Sequence, residues 1–340
     1  MQPRPTSFDI ALRAGVSQPT VSRALRGSPT VSEATRLRIE AIARELNYTV
    51  DKNASNLRSQ HSKTLALLLF EDPSPDTSSI NPFFLAMLGS ITRNCARRGY
   101  DLLISFQKLE SDWRLDYEDA GKADGMILLG YGDYEAYRAR LDRMVANGAH
   151  FIRWGSVKPE EPGLTVGCDN VRGGLEITHH LVRQGRRQIA FLGSAHKGFP
   201  EFLDRYTGYC TALTEAGLRV DRALQADALS SEEDGHTAML EILDQGQALD
   251  GVVAASDLIA IGAMRALHER GVTVPDQVAV TGFDDILAAN FTSPPLTTVA
   301  QDAAHAGAVL VETLIRLIHG EPVQSCLLPV RIVQRKSCGG

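Results

Sequence analysis

From residue 64 onward, short apolar runs alternate with amphipathic stretches, and this alternation restricts the chain to few folds. Strand-like runs lie near 64–70, 101–105, 125–129, 150–154, 164–168, 188–193, 251–254 and 278–281, most of them followed by a segment of helical period. A strand that is apolar throughout needs cover on both faces, and a helix returning between two such strands makes them parallel. The spacing predicts around ten strands, more than one small doubly wound unit uses. The expected fold is therefore an α/β body of two similar lobes, each a parallel sheet flanked by helices. At 340 residues the chain also exceeds what a single core usually organises.

The first 63 residues read differently. Apolar spacing from Phe8 to Asn47 is helical, and two turn-like breaks, Ala14-Gly15-Val16-Ser17 and Arg26-Gly27-Ser28-Pro29, divide it into three short helices. Residues 47–63 are polar, with Leu57 isolated near their centre, and read as a linker or a conditional helix. Charge divides at the same place. Residues 1–63 hold ten Lys and Arg against five Asp and Glu, whereas the rest holds 25 against 36, so a net of −6 conceals a basic end on an acidic body. Such asymmetry suits an end that meets phosphate and a body that avoids it.

Within the three-helix unit, Gly15 can supply a left-handed turn, Ser17 is a suitable N-cap, and Pro19 falls in the first helical turn, where its missing N–H costs nothing. Gln18 and Ser22, and likewise Pro19 and Arg23, stand four apart on one exposed face, while Val21 and Leu25 point inward. Gln and Arg are suited to bidentate contacts with adenine and guanine edges in a major groove. The alternative on spacing alone is an ordinary three-helix domain with solvated polar faces.

The stretch Ser7-Phe8-Asp9-Ile10-Ala11 through Ala14-Gly15-Val16-Ser17-Gln18-Pro19-Thr20-Val21-Ser22-Arg23-Ala24-Leu25 closely resembles the headpiece of the lactose/galactose-repressor (LacI/GalR) family, continuing through Val31-Ser32-Glu33-Ala34-Thr35-Arg36 to Glu45-Leu46-Asn47-Tyr48. The resemblance implies that Gln18, Pro19 and Arg23 read bases while Ser17, Thr20, Ser22, Ser32 and Thr35 hold the DNA backbone. It also implies a hinge helix in which Leu57, preceded by Ala54, enters the minor groove. An isolated apolar side chain in a polar linker has no core to enter, and a wedge between base steps would bury it. Two positions depart from the family pattern: Val50-Asp51 stands where Pro-Asn is usual, and Ser55 where arginine is.

In the body, singular polar or aromatic residues follow the strand-like runs: Asn81-Pro82-Phe83-Phe84, Asp169-Asn170, Arg205, Ser256-Asp257 and Asp284-Asp285. Ligands of parallel α/β sheets bind beyond the carboxyl ends of the strands. Each residue alone could be a helix cap, yet together carboxylates and a guanidinium around an aromatic face suit a neutral polyhydroxyl ligand such as a sugar. The family resemblance covers this body too, through Gly282-Phe283-Asp284-Asp285 and Pro294-Pro295-Leu296-Thr297-Thr298-Val299. It implies effector contacts at Asp169, Arg205, Ser256 and Asp284, with Phe83 or Phe84 as an aromatic wall. Leu229 stands where relatives often place an aromatic residue, and a Pro-rich insertion at 72–80 precedes the Asn-Pro-Phe-Phe motif.

The whole chain then reads as a headpiece at 1–46, a hinge at 47–63, and a body at 64–340 with an N-terminal lobe of 64–184 and 301–326 and a C-terminal lobe of 187–297 and 328–337. The expected function is an allosteric transcription regulator, a repressor of carbohydrate-metabolism genes. It would act as a homodimer on an inverted-repeat operator and answer to a sugar, or alternatively to a metabolite such as a nucleobase. An enzyme is the rival class, with Cys168 beside Asp169 or His179-His180 as reactive groups, but adjacent helical histidines face apart and no nucleophile elbow, phosphate loop or dinucleotide fingerprint is present. Five scattered cysteines without a CxxC pair predict reduced thiols and no zinc site, and no cofactor is expected. No signal peptide opens the chain, and its longest apolar run, Leu65–Phe70, is far short of the ~20 residues of a membrane helix, so the expected location is the cytoplasm.

Overall fold

Gly15, with φ of 63°, ends the first helix, α1 (Ser7–Ala14), and turns the chain into α2 (Gln18–Leu25); α3 (Glu33–Glu45) follows a second turn at Gly27. Ile10, Ala14, Val21, Ala24, Ile39 and Ala43 point inward at helical spacing and form a small core. Tyr48 also packs on that core, and its N–H donates to the Ala43 carbonyl at 2.8 Å, so the headpiece runs past the expected boundary at residue 46. The computed structural model describes residues 5–25, 27–48, 61–70, 80–107, 113–130 and 134–339. Ala54, Leu57 and nearly all of the insertion at 72–80 lie outside them. The chain divides into two compact units, Met1–Ser62 and Lys63–Gly340.

In the second unit each of the eight expected runs is a strand: β1 (Thr64–Phe70), β2 (Asp101–Gln107), β3 (Gly125–Leu129), β4 (Phe151–Trp154), β5 (Leu164–Cys168), β6 (Ile189–Leu192), β8 (Gly251–Ala254) and β9 (Ala279–Asp284). Four more were not expected: β7 (Gln225–Ala226), β10 (Thr297–Gln301), β11 (Cys326–Leu328) and β12 (Val330–Val333). They are short or carry few apolar residues, which removes the signal. Two six-stranded sheets result, ordered β11-β5-β4-β3-β1-β2 and β12-β10-β9-β8-β6-β7. Among the described residues every pairing is parallel except the edge pair β10–β12.

The helices of this unit are α4 (Pro82–Arg97), α5 (Tyr134–Ala146), α6 (Asn170–Arg183), α7 (Pro200–Glu215), α8 (Glu232–Asp244), α9 (Asp257–Glu269) and α10 (Ala303–Ile318). α10 packs on α4 in the lobe of the first sheet, and α6 packs on α7 in the lobe of the second. The chain crosses between lobes three times, at β5–α6, at β10–α10 and at β11–β12. The first crossing corrects the expected lobe boundary near 184: α6 belongs with the C-terminal lobe. The cause is close helix packing, because a Cβ on Gly174 would meet the Arg205 carbonyl oxygen at 2.1 Å and one on Gly208 would meet the Val171 carbonyl oxygen at 2.1 Å. Glycine at both positions lets the two backbones approach to a distance any other residue would forbid.

Candidate functional site

In the headpiece, the N-termini of α2 and α3 are built alike. The Ser17 hydroxyl accepts from the Thr20 N–H at 3.4 Å and lies 2.9 Å from the Thr20 hydroxyl; the Ser32 hydroxyl accepts from the Thr35 N–H at 3.4 Å and lies 2.8 Å from the Thr35 hydroxyl. Each helix start thus presents a pair of hydroxyls beside backbone N–H groups and the positive end of a helix dipole, which suits a phosphate oxygen. Pro19 and Arg23 are exposed on α2, Ser22 is half-buried, and Gln18 is half-buried with its Nε2 donating to the Ser7 hydroxyl at 3.2 Å. Val21 is fully buried, as the spacing requires, so the Pro19–Arg23 face is turned away from the headpiece core, with Gln18 at its margin.

In the body, Arg205, Ser256 and Asp284 all come to the facing ends of the second sheet. Arg205 extends from α7 and is 1% exposed; its Nε donates to Asn170 Oδ1 at 2.8 Å, its Nη1 donates to the Ala255 carbonyl, and its guanidinium lies 3.8 Å over the Phe283 ring. Asp284 ends β9 in a left-handed backbone conformation, φ 115°, with its carboxylate 3.7 Å from Arg205. A non-glycine residue at such φ is strained, and strain of this kind collects at sites where the backbone must aim one side chain. Gln301 Nε2 donates to Asp284 Oδ1 at 2.5 Å, while Gln301 Oε1 is buried with no partner among the described residues. Burial raises the Asp284 carboxyl to about 7 despite the opposing pull of Arg205 and Gln301. Deeper still, Asp257 is raised well above its usual range by burial and by Asp284, and accepts from the Thr298 hydroxyl and the Ile286 N–H. Asp257 is fully buried and spent on holding β10 and the β9 end together.

Ser256 caps α9, accepting from the Ile259 N–H at 3.3 Å, and also accepts from the Ser230 hydroxyl at 3.0 Å. Asn81, from the first lobe, donates through Nδ2 to Ser230 at 3.0 Å, so Ser256 is tied across the cleft through Ser230. Asp169 stands apart: half-buried, it caps α6 by accepting from the Arg172 N–H at 3.0 Å. Phe83 and Phe84 are 2% and 4% exposed and lie in the first lobe's core, where Phe83 packs on Trp154 at 5.7 Å between ring centres. Asn170, singled out beside Asp169 in the sequence, holds Arg205, and Trp154, Gln301 and Ser230 complete this neighbourhood without having been marked by the sequence. Trp154 ends a strand-like run, a signal that could have marked it; Gln301 ends β10, which the sequence did not reveal.

The groups proposed for an enzyme are not assembled. Burial pushes the Cys168 thiol up to about 12, which removes the thiolate a nucleophile needs. His179 pairs with Glu215 at 3.1 Å, whereas His180 turns to Cys338 at 3.2 Å. Among the described residues no group of His, Cys, Asp and Glu could hold a metal ion, and no helix is long and apolar enough to cross a membrane.

Residues 8–51 match the model of bacterial regulatory proteins of the lacI family, and residues 178–338 match that of a periplasmic-binding-protein-like domain. The HTH-type transcriptional regulator CelR of Thermobifida fusca is 31% identical over 97% of this chain and 95% of its own length. A solved complex of the transcriptional regulator CelR with cellobiose is 30% identical, with a TM-score of 0.72 over 98% of this chain and 100% of the other. The lac repressor dimer bound to operator and the anti-inducer ONPF gives a TM-score of 0.86 at 26% identity, covering 99% of both chains. With a matching headpiece, a matching body and full-length relatives that are regulators and not enzymes, this chain belongs to the LacI family and is a DNA-binding transcription regulator.

Proposed function

We propose that this regulator is a cytoplasmic repressor of carbohydrate-metabolism genes that binds an inverted-repeat operator as a homodimer and changes its grip when a sugar enters the cleft between its lobes. The observation that carries the sugar reading is the buried set Arg205, Asp284, Gln301 and Ser256. It supplies a guanidinium, a carboxylate, an amide and a hydroxyl in one place, and a ligand with several hydroxyls can both donate to and accept from such a set. A relative solved with cellobiose supports the same class. In the headpiece, Gln18, Pro19 and Arg23 would read bases, and Ser17, Thr20, Ser22, Ser32 and Thr35 would hold phosphates; Ala54 and Leu57 would form the minor-groove wedge. Asp169 and the Phe83–Trp154 pair would line the sugar.

For the homodimer, the support is the outer edge of the first sheet. Among the described residues β2 has no neighbour on its far side, and Ile104 and Phe106 are 46% and 52% exposed there, with Leu85 of α4 at 54%. An unpaired strand edge bearing apolar side chains is a surface that seeks a partner. The test is selection of DNA by the purified protein with and without panels of sugars and nucleobases. Enrichment of an inverted repeat whose recovery changes with one sugar supports the reading; a response to nucleobases alone overturns the sugar assignment.

A further inference from the structure

The loop between β4 and β5 belongs to the first lobe, yet its polar groups are taken by the first turns of α7 in the second. The Ser156 N–H donates to Glu201 Oε1 at 3.0 Å, the Ser156 hydroxyl donates to Asp204 Oδ2 at 2.5 Å, and Lys158 Nζ lies 3.1 Å from Asp204 Oδ1. Both oxygens of Asp204 are thus engaged by the opposite lobe. Nearby, the Tyr134 N–H at the start of α5 donates to the Gly198 carbonyl at 2.9 Å, a second tie between lobes that uses no clasp side chain. These contacts follow β3 and β4 on one side and β6 on the other, whereas the three crossings gather at the β11–β5 and β12–β10 edges. The Ser156 contacts lie one strand from the crossing at β5, and the Tyr134–Gly198 tie, beyond β3, lies a strand farther out.

Resting on the reading of the cleft as an effector site, we propose that Ser156 and Lys158 of one lobe and Glu201 and Asp204 of the other form a clasp that keeps the lobes closed when the cleft holds no effector. Glu201 is 8% exposed and the Asp204 side chain 16%. Hydrogen bonds to carboxylates are worth more than those between neutral groups, because the acceptor carries charge. Glu201, Asp204 and Arg205 share one stripe of α7, spaced three and four apart. A ligand that moves Arg205 consequently moves the clasp with it. Effector entry in this protein competes with a preformed closure and does not create it.

Hydrogen exchange of the full-length protein without any ligand tests the clasp directly. In wild type the Ser156 and Tyr134 amides should both be protected. Asp204→Asn and, separately, Ser156→Ala should speed exchange at both by on the order of tenfold, and 1 M salt should move wild type in the same direction. Ser156→Ala removes only a hydroxyl, so it keeps the test valid if the Asp204 variant folds poorly. Rapid exchange at Ser156 in wild type overturns the proposal. So does a variant in which residues 155–163 exchange faster while Tyr134 stays protected, because the side chains would then order a loop without holding the lobes. A cleft that binds no sugar would sink the proposed function and leave these results standing.

Discussion

Asp284 combines a left-handed backbone, full burial, a 2.5 Å hydrogen bond from Gln301 and a guanidinium at 3.7 Å. Its carboxyl titrates near 7 in the folded protein, above the ordinary 3.8, so the native state binds a proton that the unfolded chain has already released. Stability from this group is full below about pH 4 and is lost as pH rises to about 7, by roughly 4 kcal/mol. Asp284→Asn removes that titration. Its thermal midpoint should fall less between pH 5 and pH 8 than that of wild type, and parallel curves would show that Asp284 does not titrate there. The same variant should weaken sugar binding by about 10- to 100-fold in calorimetry while leaving operator affinity without sugar unchanged. At this scale the sequence singled out Ser256 and Asp284, each just beyond an apolar run, and Arg205 on the helix that follows another, and the folded chain brings the three side chains together. The sequence was a poor guide to Gln301 and Ser230, because a polar residue's burial depends on partners far along the chain.

At the scale of elements, α2 presents Pro19 and Arg23 on a face opposite Val21 and Ala24, with Gln18 at its margin, and the cap at Ser17 sets where that face begins. Arg23→Ala should cost about 1–3 kcal/mol on the cognate operator and relax preference at one base pair; an equal loss on random DNA would make Arg23 a phosphate contact. The α6–α7 pair depends on backbone proximity at Gly174 and Gly208. Gly208→Ala would place a methyl 2.1 Å from the Val171 carbonyl and 2.5 Å from the Leu175 nitrogen, so the helices must separate. A loss of about 1–3 kcal/mol in chemical denaturation is expected, together with weaker sugar binding, since Arg205 rides on the displaced helix. Unchanged stability would mean the pair is less tightly packed than described. Helical spacing revealed both helices but not that they pack on each other, and the first lobe boundary was misplaced for that reason.

At the scale of the whole molecule, two ligands that act on one regulator must act on each other. Operator should change sugar affinity by the same factor by which sugar changes operator affinity, typically ~5–150-fold. Calorimetry with and without operator checks this, and an operator that leaves sugar affinity unchanged would deny allosteric coupling. If β2 forms the dimer edge, Phe106→Asp should shift the protein toward monomer in sedimentation. It should also weaken binding to a two-half-site operator far more than to a single half-site. Footprints covering one unrepeated half-site in wild type would count against the dimer.

The sequence by itself determined the division of labour. Helical spacing and basic charge set off the headpiece, and apolar runs of strand length dictated a parallel α/β body, because both signals arise from neighbours within a few residues. Only the tertiary structure decided where the lobes exchange chain, which polar groups meet in the cleft, and that Ser156 reaches Asp204 across it. Those outcomes depend on close approach between segments tens to hundreds of residues apart, where one glycine or one capped helix fixes a distance that no local pattern records.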